Sequence, residues 1–361
     1  MRTGTAKLPL HTGAAPAWLF GRMAKLAREI VSLLVIEFGP QEVLRKLSDP
    51  YWFQALGCVL GFDWHSSGLT TTTTGAIKEG LKDIEGELGL FVCGGKGAVS
   101  RRTPDQIRVC ADKHSLSVDA DSLVYASRMS AKVDSSAVQD GYQIYHHAFF
   151  FDRAGNWAVV QQGMNETSGW ARRYHWLSEG VASFVVEPHA AVESEGRAAE
   201  DMLNMVAREA EPSRAVSAEI ASDKPDKAVR EIERIRELDL PKRHRIVPVD
   251  ISPAYLRKIL IRTYEHQPRD FEELLAIEGV GAKTVRALAM IGELVYGAPM
   301  SHRDPAAYSF AHGGKDGTPY PVDRRGYDRT IDIMKKAVEQ AKLGRSETAE
   351  AVKRLARYFE L

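Results

Sequence analysis

The chain has 361 residues, 44% of them hydrophobic and 27% charged, an ordinary globular composition that excludes a disordered chain and is long enough for two domains with their own cores. Its 48 basic and 48 acidic side chains cancel. That excludes a protein that coats nucleic acid through a global positive field, so any such contact has to come from a local patch.

Along the chain, Trp18, Leu19, Met23, Leu26, Ile30, Leu33 and Leu34 recur at helical spacing and predict a first long helix buried on one side. The apolar run 30–38 within it is too short to span a bilayer and is flanked by Lys25, Arg28, Glu29 and Glu37, so it reads as a core helix and no membrane association is expected. Residues 41–47 predict a short second helix. Thr70 to Thr74 then cap a helix over 76–88 or form a strand. Cys58, Cys93 and Cys110 are widely spaced and in no Cys-x-x-Cys pair, which fits neither a disulfide framework nor a zinc ribbon and points to a reducing cytoplasm. The run Cys93-Gly94-Gly95-Lys96-Gly97 has the composition of a backbone nest for a phosphate, but Gly97 stands where a P-loop needs Ser or Thr.

Residues 143–151 are dense in aromatic and β-branched side chains, residues 152–156 carry turn chemistry, and residues 157–161 are apolar again, which together predict a β-hairpin. Asp134, Asp140, His146, His147 and Asp152 surround it, with Gln161 on the return strand. Carboxylates and imidazoles gathered there suit a divalent ion, Mg or Mn, that polarises a phosphodiester, a metal-dependent nuclease built on Asp152 and His146. Strand alternation sends His146 and His147 to opposite faces, so only one of them can join such a site. Downstream, Trp170-Ala171-Arg172-Arg173-Tyr174-His175-Trp176 interleaves aromatic rings with cations, the composition used to stack bases while neutralising phosphates.

Near residue 190 the character changes, and the rest of the chain reads helical. The expected architecture is α+β, a mixed α/β domain over 1–190 followed by an all-helical domain over 191–361. A polar stretch over 211–227 is expected to separate two of its helices. Lys242, Arg243, Arg245, Arg257, Lys258 and Arg262 then form a local basic face. Beyond it, Leu274-Leu275-Ala276-Ile277-Glu278-Gly279-Val280-Gly281-Ala282-Lys283-Thr284-Val285 combines an apolar helix end, a Gly-Val-Gly turn and a basic helix start. Glycines leave no side chain between backbone N–H groups and an approaching phosphate, and the next helix offers its positive end, so Gly279, Gly281, Lys283 and Thr284 read as a grip on a DNA backbone.

This segment resembles the helix-hairpin-helix motif, with Leu275 and Ile277 placed to pack on Val285 and Leu288. Followed by Pro321-Val322-Asp323, it looks like the helix-hairpin-helix DNA glycosylases. That resemblance implies Lys283 as a Schiff-base nucleophile and Asp323 as its supporting carboxylate. A lysine whose charge is disfavoured by burial and a helix N-terminus can attack the sugar C1′ of a nucleotide whose base has been flipped out. The loop 301–318 has no counterpart in that family, no cysteine cluster for an iron–sulfur centre follows Asp323, and no cofactor is implied for this route. Over nearly its full length the chain also looks like a mainly archaeal family of unknown function, through Leu8-Pro9-Leu10-His11-Thr12-Gly13, Asp63-Trp64-His65-Ser66-Ser67-Gly68, Asp140-Gly141-Tyr142-Gln143 and Tyr308-Ser309-Phe310-Ala311-His312-Gly313. The expectation is a cytoplasmic DNA-binding and DNA-processing protein of repair type, acting by base excision or abasic-site cleavage. The rival readings are the metal-dependent nuclease and a non-enzymatic DNA-binding module that recruits a partner.

Overall fold

A computed structural model describes residues 16–62, 66–194, 202–238 and 251–306. Helix α1 (Ala17–Phe38) buries the expected stripe from Met23 to Leu34. Trp18, at the start of that stripe, is 65% exposed instead. Gly39, at φ +81°, turns the chain into α2 (Pro40–Ser48), and the Asp49 carboxylate caps α3 (Pro50–Leu60) by accepting from the backbone N–H of Tyr51 at 2.9 Å. The threonine run is neither a cap nor a strand: it lies inside α4 (Gly68–Leu81), and residues 85–88 form the separate short α5 (Glu85–Leu88). The hydroxyl of Thr74 donates to the Thr70 carbonyl at 2.9 Å, so the side chain bonds back onto its own helix rather than competing with it. Gly80 lets α4 lie directly on α1, since a Cβ there would stand 2.4 Å from the Ala24 carbonyl oxygen.

The sheet follows. Strand β1 (Leu90–Lys96) leads into α6 (Thr103–Lys113), α7 (Ala120–Lys132) and the short β2 (Val138–Gln139). Then come the predicted hairpin, β3 (Gln143–Asp152) and β4 (Trp157–Asn165), and after it β5 (Trp170–Leu177) and β6 (Ala191–Glu193). These five long-sheet strands lie in the order β1-β3-β4-β5-β6, antiparallel throughout, while β7 (Leu203–Asn204) pairs with β2. Both faces of the sheet are covered, so its strands read as near-continuous apolar runs. Leu90, Val92, Ala148, Phe150, Ala158 and Val160 face one core, with α1 to α4. Phe91, Phe149, Phe151, Val159, Tyr174 and Trp176 face the other.

Past residue 190 the described chain is helical except for β6 and β7: α8 (Glu211–Ser222), α9 (Pro225–Arg236), α10 (Pro253–His266), α11 (Phe271–Ala276) and α12 (Ala282–Tyr296). The stretch expected to be a polar separator is mostly α8, because Ala218, Ile220 and Ala221 supply an apolar face and Ser213 and Ser217 are small enough to be buried with them. The break falls at Asp223 and Lys224, just before Pro225. One apolar core runs from the second sheet face through Leu123 of α7 to Ile232, Leu256, Leu274 and Leu288, so it crosses the boundary expected near residue 190. The molecule is of mixed α+β class, and among the described residues no helix is long and apolar enough to cross a membrane.

Candidate functional site

The turn between α11 and α12 is built from both ends. Asp270 caps α11 by accepting from Glu273 N–H at 2.8 Å, and α11 stops at Ile277. Gly279 sits at φ +90°, where an L side chain is strained, and a Cβ on it would come within 2.8 Å of Ile259 Cδ1. Gly281 is different: its backbone is extended, and a Cβ would meet nothing within 4 Å. Its lack of a side chain is not needed by the fold and instead leaves the approach to α12 open.

Three carbonyl oxygens of this segment accept from side chains brought in from elsewhere in the fold. Lys132 Nζ donates to Ile277 O at 2.6 Å, an Arg262 guanidinium N–H donates to Glu278 O at 2.9 Å, and Gln139 Nε2 donates to Ala282 O at 2.9 Å. The start of α12 carries no side-chain cap and no acid in its first turn. Helix α10 also begins here, at Pro253, capped by Ser252 Oγ accepting from the Tyr255 N–H and again with no acid in its first turn. Ser252, Tyr255, Gly279, Gly281, Lys283 and Thr284 line one cavity of about 380 Å³, so two positive helix ends open onto the same space.

Lys283 is exposed, and Thr284 is buried. The burial that the Schiff-base reading asks of Lys283 is therefore absent, because Lys283 lies on the outward face of α12 while Thr284 and Val285 face the core. Beside this turn, burial instead affects Lys132 on α7, pushed down to about 8 against the opposing pull of Glu278. Nothing in its local sequence marked it; only the fold brings α7 under the turn. The start of α10 was legible, since Ser252-Pro253 is a capping residue followed by proline at the first helical position. Asp323, Lys242, Arg243 and Arg245 lie outside the described residues.

The sheet distributes the other candidates. Lys96, His146, Gln162, Arg173 and Glu193 are successive cross-strand partners and form a polar row on the face toward α1 to α4. His147, Gln161 and Tyr174 form the neighbouring row on the opposite face. Asp134 accepts from Trp176 Nε1 at 2.9 Å and also bonds Gln161 and His189. Asp140 accepts from an Arg172 N–H at 2.9 Å and from the Tyr174 hydroxyl at 2.7 Å. Asp152 closes its own hairpin turn, accepting from the backbone N–H groups of Ala154 at 2.9 Å and Asn156 at 3.0 Å. These carboxylates and His146 are dispersed over two faces and one end of the sheet, so the set proposed for Mg or Mn does not converge. Among the described residues no group of three His, Cys, Asp or Glu side chains is placed to hold a metal ion.

Arg172 and Arg173 are corrected in the same way. Neither is exposed for nucleic acid. Arg172 forks between Asp140 and Asp304, at 2.9 Å to each, and lies over the Tyr142 ring. Arg173 pairs with Glu193, donates to Gln54 Oε1 at 3.0 Å and lies over the Phe53 ring. Burial pushes the Asp140 carboxyl up, against Arg172, and pushes Glu193 up to about 7, against Arg173. A run of alternating aromatics and cations thus supplies interior crosslinks, because both faces of β5 are covered.

No curated protein and no solved structure matches this chain. The sequence profile of one family does, over residues 4–322, and the chain accordingly belongs to a protein family of unknown function, DUF763.

Proposed function

We propose that the chain binds the backbone of DNA through the α11–α12 turn, a helix-hairpin-helix in function, as a protein of DNA repair acting in the cytoplasm. The observation that carries this reading is the meeting of two acid-free helix N-termini, those of α10 and α12, on one cavity beside an exposed lysine. Backbone N–H groups and helix dipoles at such a point favour a phosphate, each helix end contributing about 0.3–1 kcal/mol. The carbonyls of Ile277, Glu278 and Ala282, which would repel an anion, are bonded to Lys132, Arg262 and Gln139 instead. Lys283 adds a charge without a described partner, and Tyr255, 50% exposed, stands beside it.

Fluorescence anisotropy on duplex DNA over a salt series tests the grip. Lys283→Ala is expected to reduce the slope of log K against log salt by about 1, the signature of one lost phosphate contact. Gly281→Ala should weaken binding without unfolding, since its backbone suits alanine. Salt-independent binding, or wild-type slopes in both variants, would overturn the reading. Whether the grip extends to strand cleavage is read by borohydride trapping on abasic DNA. A trapped complex lost in Lys283→Ala assigns the amine to that residue; one retained there and lost in Lys132→Ala assigns it to the half-buried Lys132.

A further inference from the structure

A second cavity, of about 830 Å³, opens between α4 and the edge formed by β1 and β3. Its wall on α4 is kept low by Gly68 and Gly75, two turns apart. Phe62 and Phe20 pack over these glycines: a Cβ at Gly68 would come within 2.9 Å of the Phe62 ring, and one at Gly75 within 3.5 Å of Phe20. With Tyr145, these rings give the cleft aromatic walls. Two lysines also line it. Lys78 Nζ donates to Gly94 O at 2.7 Å and Gln106 Oε1 at 2.8 Å, both neutral oxygens, and burial pushes the ammonium below the ordinary lysine value. Lys96 is exposed, with its ammonium 5.8 Å from the centre of the Tyr145 ring. Glu166 is the acid among the described lining residues, so there the cations outnumber it.

His146, 1% exposed, lines the same cleft. Its Nε2 lies 3.0 Å from Thr74 Oγ1, and the Thr74 hydroxyl proton is directed to Thr70 O at 2.9 Å. Nδ1 is closed off from solvent and has no partner among the described residues. Burial pushes the imidazole down to about 3, helped by His147 and Lys96, so it stays neutral at physiological pH. Cys93 lines the cleft as well, but its hydrogen bond with Cys110 and its burial push the thiol well up, so it offers no thiolate.

A ligand for this cleft needs an anion for the two lysines and a flat apolar body for the aromatic walls. A sugar phosphate lacks the body, and a neutral aromatic lacks the anion. We propose that the cleft binds one nucleotide unit, its phosphate held by Lys78 and Lys96 and its base against Phe20, Phe62 and Tyr145. The volume is in the range of small-molecule sites. The inference does not depend on the α11–α12 turn.

Calorimetric titration of the full chain with AMP, ribose 5-phosphate and inorganic phosphate tests it. Saturable AMP binding is expected, at least tenfold tighter than ribose 5-phosphate and tighter still than phosphate. Lys96→Ala, at an exposed position, should weaken AMP at least tenfold with an unchanged Tm, and Lys283→Ala should leave AMP binding intact. In protein labelled with 15N-histidine, the ring resonances of His146, which lines the cleft, should shift on AMP addition, a readout that needs no variant of a buried residue. Absence of AMP binding, equal affinity for AMP and phosphate, or full affinity in Lys96→Ala would each overturn the proposal. Competition by a 5′-phosphorylated trinucleotide then reads the source: displacement of AMP assigns a strand terminus, and retention of AMP a free nucleotide.

Discussion

Arg172–Arg173 on β5 and Lys283 on α12 are both cations beside apolar or aromatic neighbours, yet the fold treats them in opposite ways. The β5 pair is fully buried, and each guanidinium is met by a carboxylate, a neutral acceptor or an aromatic ring. Lys283 is exposed at a helix start with no acid in its first turn. The difference shows that a cation's sequence neighbours do not say whether it recognises a ligand. What decides is whether the fold has already spent carboxylates on it: a compensated buried charge is fixed in place, while an uncompensated one at the surface is free to meet a phosphate.

The comparison breaks most visibly at Arg172. Arg172→Ala leaves Asp140 buried without its cation and unties Asp304 from the sheet, and is expected to cost about 3–5 kcal/mol of stability, measured by urea denaturation. A loss under about 1 kcal/mol would mean that the buried pair is not a crosslink. The next largest effect is a pH dependence. Glu193 holds its proton up to about 7 in the folded state, while an unfolded glutamate releases it near about 4.3. The folded state is thus favoured below the lower value, and this contribution is lost as pH rises through about 7. Between those limits the loss is at most about 1.4 kcal/mol per pH unit. His146 and His175, both pushed down by burial, act with the opposite sign, taking stability away as pH falls below about 6.5. Their effect is common to wild type and Glu193→Gln, so the difference between the two denaturation profiles isolates Glu193. A parallel pair of profiles would sink the assignment.

Smaller effects sharpen the open side of the comparison. Gly279→Ala forces a side chain into positive φ and against Ile259, and should cost about 1–3 kcal/mol in thermal or urea unfolding. Gly281→Ala and Lys283→Ala should each change stability by no more than about 0.5 kcal/mol while weakening DNA binding. If Gly281→Ala unfolds the protein as Gly279→Ala does, the second glycine serves the fold and not an approaching phosphate.

Much of the local structure was legible. The α1 stripe, the β3–β4 hairpin with its turn at residues 152–156, and the helix break at Gly279-Val280-Gly281 follow from periodicity and turn chemistry that act within a few residues. The misread stretches share a cause. Thr70 to Thr74 and the serines of α8 have weak helix propensity, but burial against α1 and the C-terminal core outweighs a preference of a few tenths of a kcal/mol per residue. For the site, the turn glycines and Lys283 were read directly, whereas Lys132, Gln139 and the α10 terminus that complete it come from far along the chain.

Legible in the sequence alone were the α1 stripe and the β3–β4 hairpin, the opposite facing of His146 and His147, and the Gly-Val-Gly turn between two helices. Those are consequences of backbone geometry, which is local. Only the tertiary structure decided which charges are spent: it paired Arg172 with Asp140 and Asp304, paired Arg173 with Glu193, dispersed the carboxylates proposed for a metal, and left Lys283 beside two positive helix ends. The physical reason is that desolvation and Coulomb attraction depend on distances in space and on which faces are covered, and neither can be read from spacing along the chain.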